Sequence, residues 1–293
     1  MKKADVLHSG AELRHALTKK RLNSNVLGNK CAVIFLHGFA STGDSMMDLA
    51  SYANDEGMLP VLFNYNSYKG VDWAANLLRE LTSTIWPENH KHGYALVGHS
   101  MGGLVALDFA CSLPRSSLLK GIAMLGTPNG GVPNRRIFYD KSLLKEALLF
   151  LAHMKNLAES LSGSVTPGFR CPSTEQLAGK EPKFLEALWE RSMRLETPIL
   201  SISGGKQRLH FARNNPRNRT LNSVLQHVIN GEPNDGLVCE SSSNAAVALK
   251  LDTAKHRNDY LEYRDIDHLS LTANQMIIHI VTKWIVERLE HKR

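Results

Sequence analysis

No apolar run in this chain approaches the roughly 20 uninterrupted residues that a bilayer-spanning helix requires, so a soluble protein is expected. The opening Met1-Lys2-Lys3-Ala4-Asp5 carries two lysines. The apolar stretch that a secretory signal needs does not follow, because His8, Glu12, Arg14, His15, Lys19 and Lys20 interrupt it. The expected location is therefore the cytoplasm. Cysteine is scarce and scattered: Cys31, Cys111, Cys171 and Cys239 form no C-x-x-C pair. That argues against a disulfide framework and against a zinc site, so no metal or cofactor is expected. Cys31 and Cys111 sit in apolar segments and are expected to be small buried hydrophobes. Internal repeats and low-complexity tracts are also missing. Aromatics make up 7% of the residues, and none interleaves the densest basic segment, Arg213 to Arg219. The formal charge of +7 therefore reads as a solvated surface and not as a nucleic-acid site. Transient contact with an anionic membrane surface stays compatible with it.

What is present is the composition of an ordinary globular protein, 43% hydrophobic and 22% charged over 293 residues. Ser9-Gly10-Ala11-Glu12 has the form of a capping box and predicts a short helix reaching Lys20. Residues 31–36 are a continuous apolar run that enters His37-Gly38-Phe39, as a buried strand entering a loop does. Met46 to Tyr52 reads as helix, Pro60 to Phe63 as a second buried strand. Val71 to Ile85 is an amphipathic helix with Leu77, Leu78, Leu81 and Ile85 on one side. Strands follow at 94–98 and 121–125, then at 198–203 and 260–266. A closing helix is predicted from Ser270 to Arg288, with Met276, Ile277, Ile280, Val281, Trp284 and Ile285 inward. Apolar strands alternating with amphipathic helices indicate an α/β protein with a mostly parallel central sheet and helices on both faces.

That rhythm breaks between Val132 and Glu196, where helical spacing dominates and no good strand is found. Leu143, Leu144, Ala147, Leu148, Leu151, Met154, Leu157 and Leu161 make one stripe; Phe184, Leu185, Leu188 and Trp189 make a second. Leu149 and Phe150 lie off the first stripe. They fit either a wide face packed into the core or an amphipathic lid meeting lipid or an acyl chain.

Gly98-His99-Ser100-Met101-Gly102-Gly103 joins a predicted strand to a predicted helix through a serine flanked by glycines. Such a turn pushes the hydroxyl out of the sheet and aims the first helical N–H groups at whatever it attacks. Serine alone is a weak nucleophile at neutral pH. It needs a base, and the base needs a carboxylate to fix its tautomer. His268 follows the last predicted strand and precedes the last helix, at the sheet end where Ser100 should sit. His279 and His291 belong to the closing helix, and His210, His227 and His256 lack a clear strand before them. For the acid, Asp235 occupies the turn Pro233-Asn234-Asp235-Gly236. Asp252 and Asp259 remain alternatives, whereas Asp265 and Asp267 lie too near His268 in sequence. An oxyanion hole needs two convergent N–H donors. Met101, just after the nucleophile, would supply one, and Phe39 the other, with Ala40 as the fallback. His37 reads as a loop-shaping residue.

Together, His37-Gly38-Phe39, the Ser100 hexapeptide, Gly126-Thr-Pro-Asn-Gly-Gly131, Asn234-Asp-Gly-Leu-Val238 and Asp267-His268 resemble the α/β-hydrolase superfamily, in its lipase and serine-esterase branch. The resemblance spans about residues 31 to 290, with the motifs in the family's order. It implies one α/β-hydrolase domain over 1–293, with residues 132–196 a helical cap inserted before the seventh strand, and Ser100, Asp235 and His268 as the triad. The activity it implies is a serine hydrolase that cleaves small-molecule or lipid carboxylic esters through an acyl-enzyme. An acyl thioesterase or acyltransferase with the same triad is the alternative. A hydrolase-fold binding protein without catalysis is a more remote one.

Overall fold

The apolar runs become a single seven-stranded sheet. The structure is a computed structural model, and it describes residues 11–22, 30–86, 92–114, 118–132, 171–177, 182–207, 231–251 and 258–290. In chain order the strands are β1 (Glu12–His15), β2 (Ala32–Leu36), β3 (Leu59–Asn64), β4 (Tyr94–His99), β5 (Leu119–Leu125), β6 (Ile199–Gly204) and β7 (Asn258–Tyr263). They lie side by side as β1-β3-β2-β4-β5-β6-β7. All the pairings are parallel except that of β1, which runs antiparallel to β3 with Leu13 opposite Phe63. β4, which ends in the Ser100 turn, is central.

Helices cover both faces. α1 (Met47–Asp55) and the closing helix α8 (Gln275–Glu290) share one face. α2 (Val71–Ile85), α3 (Met101–Cys111), α4 (Pro172–Leu177) and α5 (Pro182–Ser192) share the other. Two short helices, α6 (Glu240–Ser243) and α7 (Ala245–Ala248), precede β7. Strand alternation sorts side chains between the two cores. Ile34 and Leu36 of β2 join Leu77, Leu78 and Leu104 on the α2/α3 side. Val33 and Phe35 join Leu49, Ile278 and Val281 on the α1/α8 side. All five β2 residues are buried, which is why this strand reads as an unbroken apolar run and not as an alternating one. The parallel α/β architecture is thus as the sequence indicates, with helix Val71–Ile85 at its predicted bounds.

Several expectations are corrected. The N-terminal capping box does not start a helix, because residues 12–15 are strand β1. Leu13 is buried in the core there, and pairing with β3 outweighs the local helix signal. Residues 132–196 fall between β5 and β6, so in this sheet the segment precedes the sixth strand. β7 ends at Tyr263 and not at Ile266. The stretch that follows it is a 3₁₀ turn over His268–Thr272, and only at Gln275 does the α-helix begin. On α8 the inward set includes Ile278, while Met276 is 49% exposed. Cys31 and Cys111 are half-buried, not fully buried, and none of the four cysteines is in a disulfide. Among the described residues no helix is long and apolar enough to cross a membrane.

Of the 132–196 segment, the 143–161 stripe with Leu149 and Phe150 lies outside the described residues. The described part docks on the core: Leu177, Leu185 and Leu188 are buried against the α2/α3 layer. Arg191 of α5 pairs with Asp108 of α3 at 2.6 Å. Trp189 donates its indole N–H to the Asn129 carbonyl at 2.9 Å.

Candidate active site

Ser100 sits between β4 and α3 with φ 54° and ψ −126°, a left-handed conformation that a residue with a side chain adopts at a cost. The flanking glycines make the turn sterically possible. A Cβ on Gly98 would collide with the Gly102 and Gly103 backbone, and one on Gly102 would collide with the Leu36 carbonyl at the end of β2. The amide of Ser100 donates to the Leu125 carbonyl at 2.8 Å, which ties the turn to the end of β5. Ser100 itself is half-buried, and the amide of Met101 opens α3, in the first turn where an N–H has no acceptor within the helix.

Asp235 and His268 meet at the same end of the sheet. The His268 Nδ1–H donates to Asp235 Oδ2 at 2.7 Å, with both residues almost wholly buried. Asp235 Oδ1 accepts from the amides of Leu237 at 3.0 Å and Val238 at 2.8 Å, so the carboxylate is held from both sides. The backbone repeats the link, His268 N–H donating to the Asp235 carbonyl at 2.8 Å. In a neutral ring, a proton on Nδ1 facing the carboxylate leaves a lone pair on Nε2. Room for this pair comes from two strand ends. A Cβ on Gly126, after β5, would lie 2.9 Å from His268 Nδ1, and one on Gly204, at the end of β6, would lie 3.0 Å from the Asp235 Cβ.

His99 links the two halves. Its ring lies 4.8 Å from that of His268, and its Nε2–H donates to the His268 carbonyl at 2.9 Å. Burial, then the neighbouring His268, holds its pKa down to about 3, so it is a neutral donor. The sequence alone gives His99 no role, although it stands inside the serine hexapeptide. His37 shapes the opposite loop. Its Nδ1–H donates to the Gly38 carbonyl at 2.9 Å, its ring stacks on Tyr65 at 4.2 Å, and its carbonyl accepts the Tyr65 hydroxyl at 2.6 Å. Burial lowers its pKa to about 4.

The loop after β2 approaches the serine closely: a Cβ on Gly38 would lie 3.1 Å from that of Ser100. Ala40 has φ 53°, and its N–H is committed to Ser67 Oγ at 2.9 Å. That removes the fallback oxyanion donor and leaves Phe39 as the amide to consider with Met101. The rival acids are placed elsewhere or lie outside the described residues. Asp259 accepts from Trp284 Nε1 at 2.7 Å and pairs with Arg288. Asp267 caps the 3₁₀ turn through the amides of Leu269 and Ser270. Asp252 is outside the described residues, as are His210, His227, His256 and His291. His279 is bonded to Tyr52 on the α1/α8 face. Among the described residues no group of three His, Cys, Asp or Glu side chains gathers as metal ligands.

A family model described as the alpha/beta hydrolase family matches residues 33–251. No curated protein matches the chain by sequence. Among solved structures, the mature lipase BlEst2 of Bacillus licheniformis is similar with a TM-score of 0.58 at 15% identity, over 88% of this chain and 93% of its own. Est1E of Butyrivibrio proteoclasticus gives a TM-score of 0.54 at 12% identity, over 95% and 93%. The Pyrococcus furiosus esterase PF2001 gives 0.53 at 14% identity, over 99% and 94%. At these identities the likeness is one of fold.

Proposed function

The chain belongs to the alpha/beta hydrolase family, and from that premise we propose that it is a serine hydrolase cleaving carboxylic esters through an acyl-enzyme on Ser100. The observation that carries this reading is the buried Asp235–His268 pair, at 2.7 Å, at the sheet end where strained Ser100 turns into α3. In the reaction, Ser100 Oγ attacks the ester carbonyl carbon while His268 Nε2 takes the hydroxyl proton. Asp235 accepts from Nδ1–H and stabilises the imidazolium. The tetrahedral oxyanion receives the N–H groups of Phe39 and Met101, each such donor contributing roughly 3 kcal/mol. Collapse expels the alcohol, which takes the proton from His268. Water then repeats the sequence on the acyl-enzyme and releases the acid. Esters, with an apolar acyl group from a small molecule or a lipid, are chosen over other acyl donors on the lipase and serine-esterase resemblance of the motifs.

A fluorophosphonate probe tests the assignment. The native protein is expected to be labelled, Ser100→Ala to be blank, and His268→Ala to be slowed severely. Asp235→Asn is expected to lower the rate by about 10⁴-fold by leaving the wrong tautomer. Equal labelling of native protein and Ser100→Ala overturns the nucleophile. Hydrolysis of acyl-CoA thioesters in preference to a chain-length series of nitrophenyl esters would overturn the ester assignment and keep the triad.

A further inference from the structure

The loop proposed to hold one oxyanion donor is braced from the 132–196 segment by a chain of buried hydrogen bonds. Ala40, next to Phe39, is in a left-handed conformation, and its N–H donates to Ser67 Oγ at 2.9 Å. The Ser67 carbonyl in turn accepts the Ser173 hydroxyl at 2.6 Å, and Ser173 Oγ accepts the Gly70 amide at 2.9 Å. One turn further along α4, Gln176 accepts the Val71 amide through Oε1 at 2.6 Å and donates from Nε2 to Asp72 Oδ1 at 2.8 Å. It thereby occupies an N–H at the start of α2 that has no acceptor within that helix. Ser67 and Ser173 are both buried. The Phe39 and Tyr68 rings meet edge to face at 5.0 Å, which adds an apolar contact between the same two loops.

We propose that Ser67 and Ser173 are positioning residues for the oxyanion hole: Ser173 of α4 fixes the Ser67 backbone, and the Ser67 hydroxyl fixes the Ala40 amide, so that the Phe39 N–H is aimed. This rests on the reading of Phe39 and Met101 as oxyanion donors. Ala40 at φ 53° shows why a brace is needed. A residue with a Cβ leaves that conformation unless its surroundings over-determine it, and a flip of this peptide would turn the neighbouring donor. The brace starts in α4, so the segment between β5 and β6 reaches the chemistry at the amide. Neither serine touches the reacting atoms. Each acts on transition-state stabilisation through the loop, which should lower kcat and leave ground-state binding of the substrate nearly unchanged.

The test measures the second-order rate of fluorophosphonate labelling together with kcat and KM on a short-chain nitrophenyl ester. It compares the native protein, Ser67→Ala, Ser67→Thr, Ser173→Ala, the double alanine variant and Ser100→Ala. Loss of a whole oxyanion donor costs 10²–10³-fold, so misaiming one should cost about tenfold in kcat and labelling rate for Ser67→Ala, with KM within about twofold. Ser67→Thr keeps the hydroxyl and should recover most of the rate. Ser173→Ala should fall in the same direction by about threefold, and the double variant should match Ser67→Ala because the two lie on one path. Thermal melting of each variant identifies the folded ones. If Ser67→Ala does not fold, Ser173→Ala decides by the same kcat criterion. Unchanged labelling and kcat in a folded Ser67→Ala overturn the proposal, as does a loss confined to KM. Labelling of native protein that persists in Ser100→Ala overturns the nucleophile instead, whatever the other variants do.

Discussion

Ser100 shows how one residue can carry opposing demands. Its φ of 54° and ψ of −126° cost of order 1–3 kcal/mol for a residue with a Cβ, and glycine would not meet that cost, although it loses more entropy on folding. Ser100→Gly is therefore expected to stabilise the fold by about 1 kcal/mol, seen as a rise in Tm of about 2–4 °C, while abolishing labelling. An unchanged or lower Tm would show that the turn is unstrained. The two buried histidines set a pH dependence. His37 and His99 have pKa values pushed down to about 4 and about 3, whereas in the unfolded chain they titrate near 6.5. Between those limits the unfolded state binds more protons, so stability rises with pH, and it falls as pH drops from about 6.5 towards 4. Each histidine contributes about 1.4 kcal/mol per pH unit to that slope. Urea titrations from pH 7 to pH 4.5 should show it, and His99→Gln, which keeps a donor for the His268 carbonyl, should reduce the slope by one histidine's share. An unaltered slope would mean that His99 protonates in the folded state. At this scale the positions of Ser100, His268 and Asp235 were legible as candidates because each stands at a junction, flanked by glycine or by a strand end. His99 was not, since its role depends on the His268 carbonyl, which lies 169 positions away in the chain.

Among the elements, α5 shows what joins the 132–196 segment to α3. Asp108 is buried midway along α3, and burial pushes its carboxyl upward while Arg191 opposes that shift. The Arg191 side chain is 45% exposed, so solvent screens part of the attraction. Arg191→Met should nevertheless leave a buried carboxylate without its partner and cost about 1–2 kcal/mol, less than a fully buried pair. Asp108→Asn in that background should recover part of it, both read from urea midpoints. No loss in Arg191→Met would mean that the pair is neutral to stability. Elements were legible wherever burial on both faces left a continuous apolar run, as in Ala32–Leu36, or one clear stripe, as in Val71–Ile85. They were misread where neighbours decided the outcome. Residues 12–15 follow a capping pattern yet pair with β3. At the other end, Asp267 caps a 3₁₀ turn, while Asn274 Oδ1 accepts the amides of Met276 and Ile277 and starts the α-helix there.

Over the whole molecule, the parallel order of β3-β2-β4-β5-β6-β7 brings the ends of β4 and β6 and the loop after β7 to one edge. That the strand ends share one edge follows from a parallel sheet, which the alternation of apolar strands with amphipathic helices indicates in the sequence. The antiparallel β1 at the outer edge does not follow from that alternation, because its four residues hold no periodic signal of their own. The same layout has a consequence for synthesis. The left-handed turn at Ser100, with the sheet order around β4, draws on residues up to Leu125, whereas His268 arrives on the loop after β7 and the helix α8 beyond it runs to Glu290. At about 5–20 residues per second on the ribosome, the nascent chain carries its hydroxyl for many seconds before the His268 imidazole can reach it. On the proposed mechanism, the serine therefore gains its base only after the loop that follows β7 has emerged.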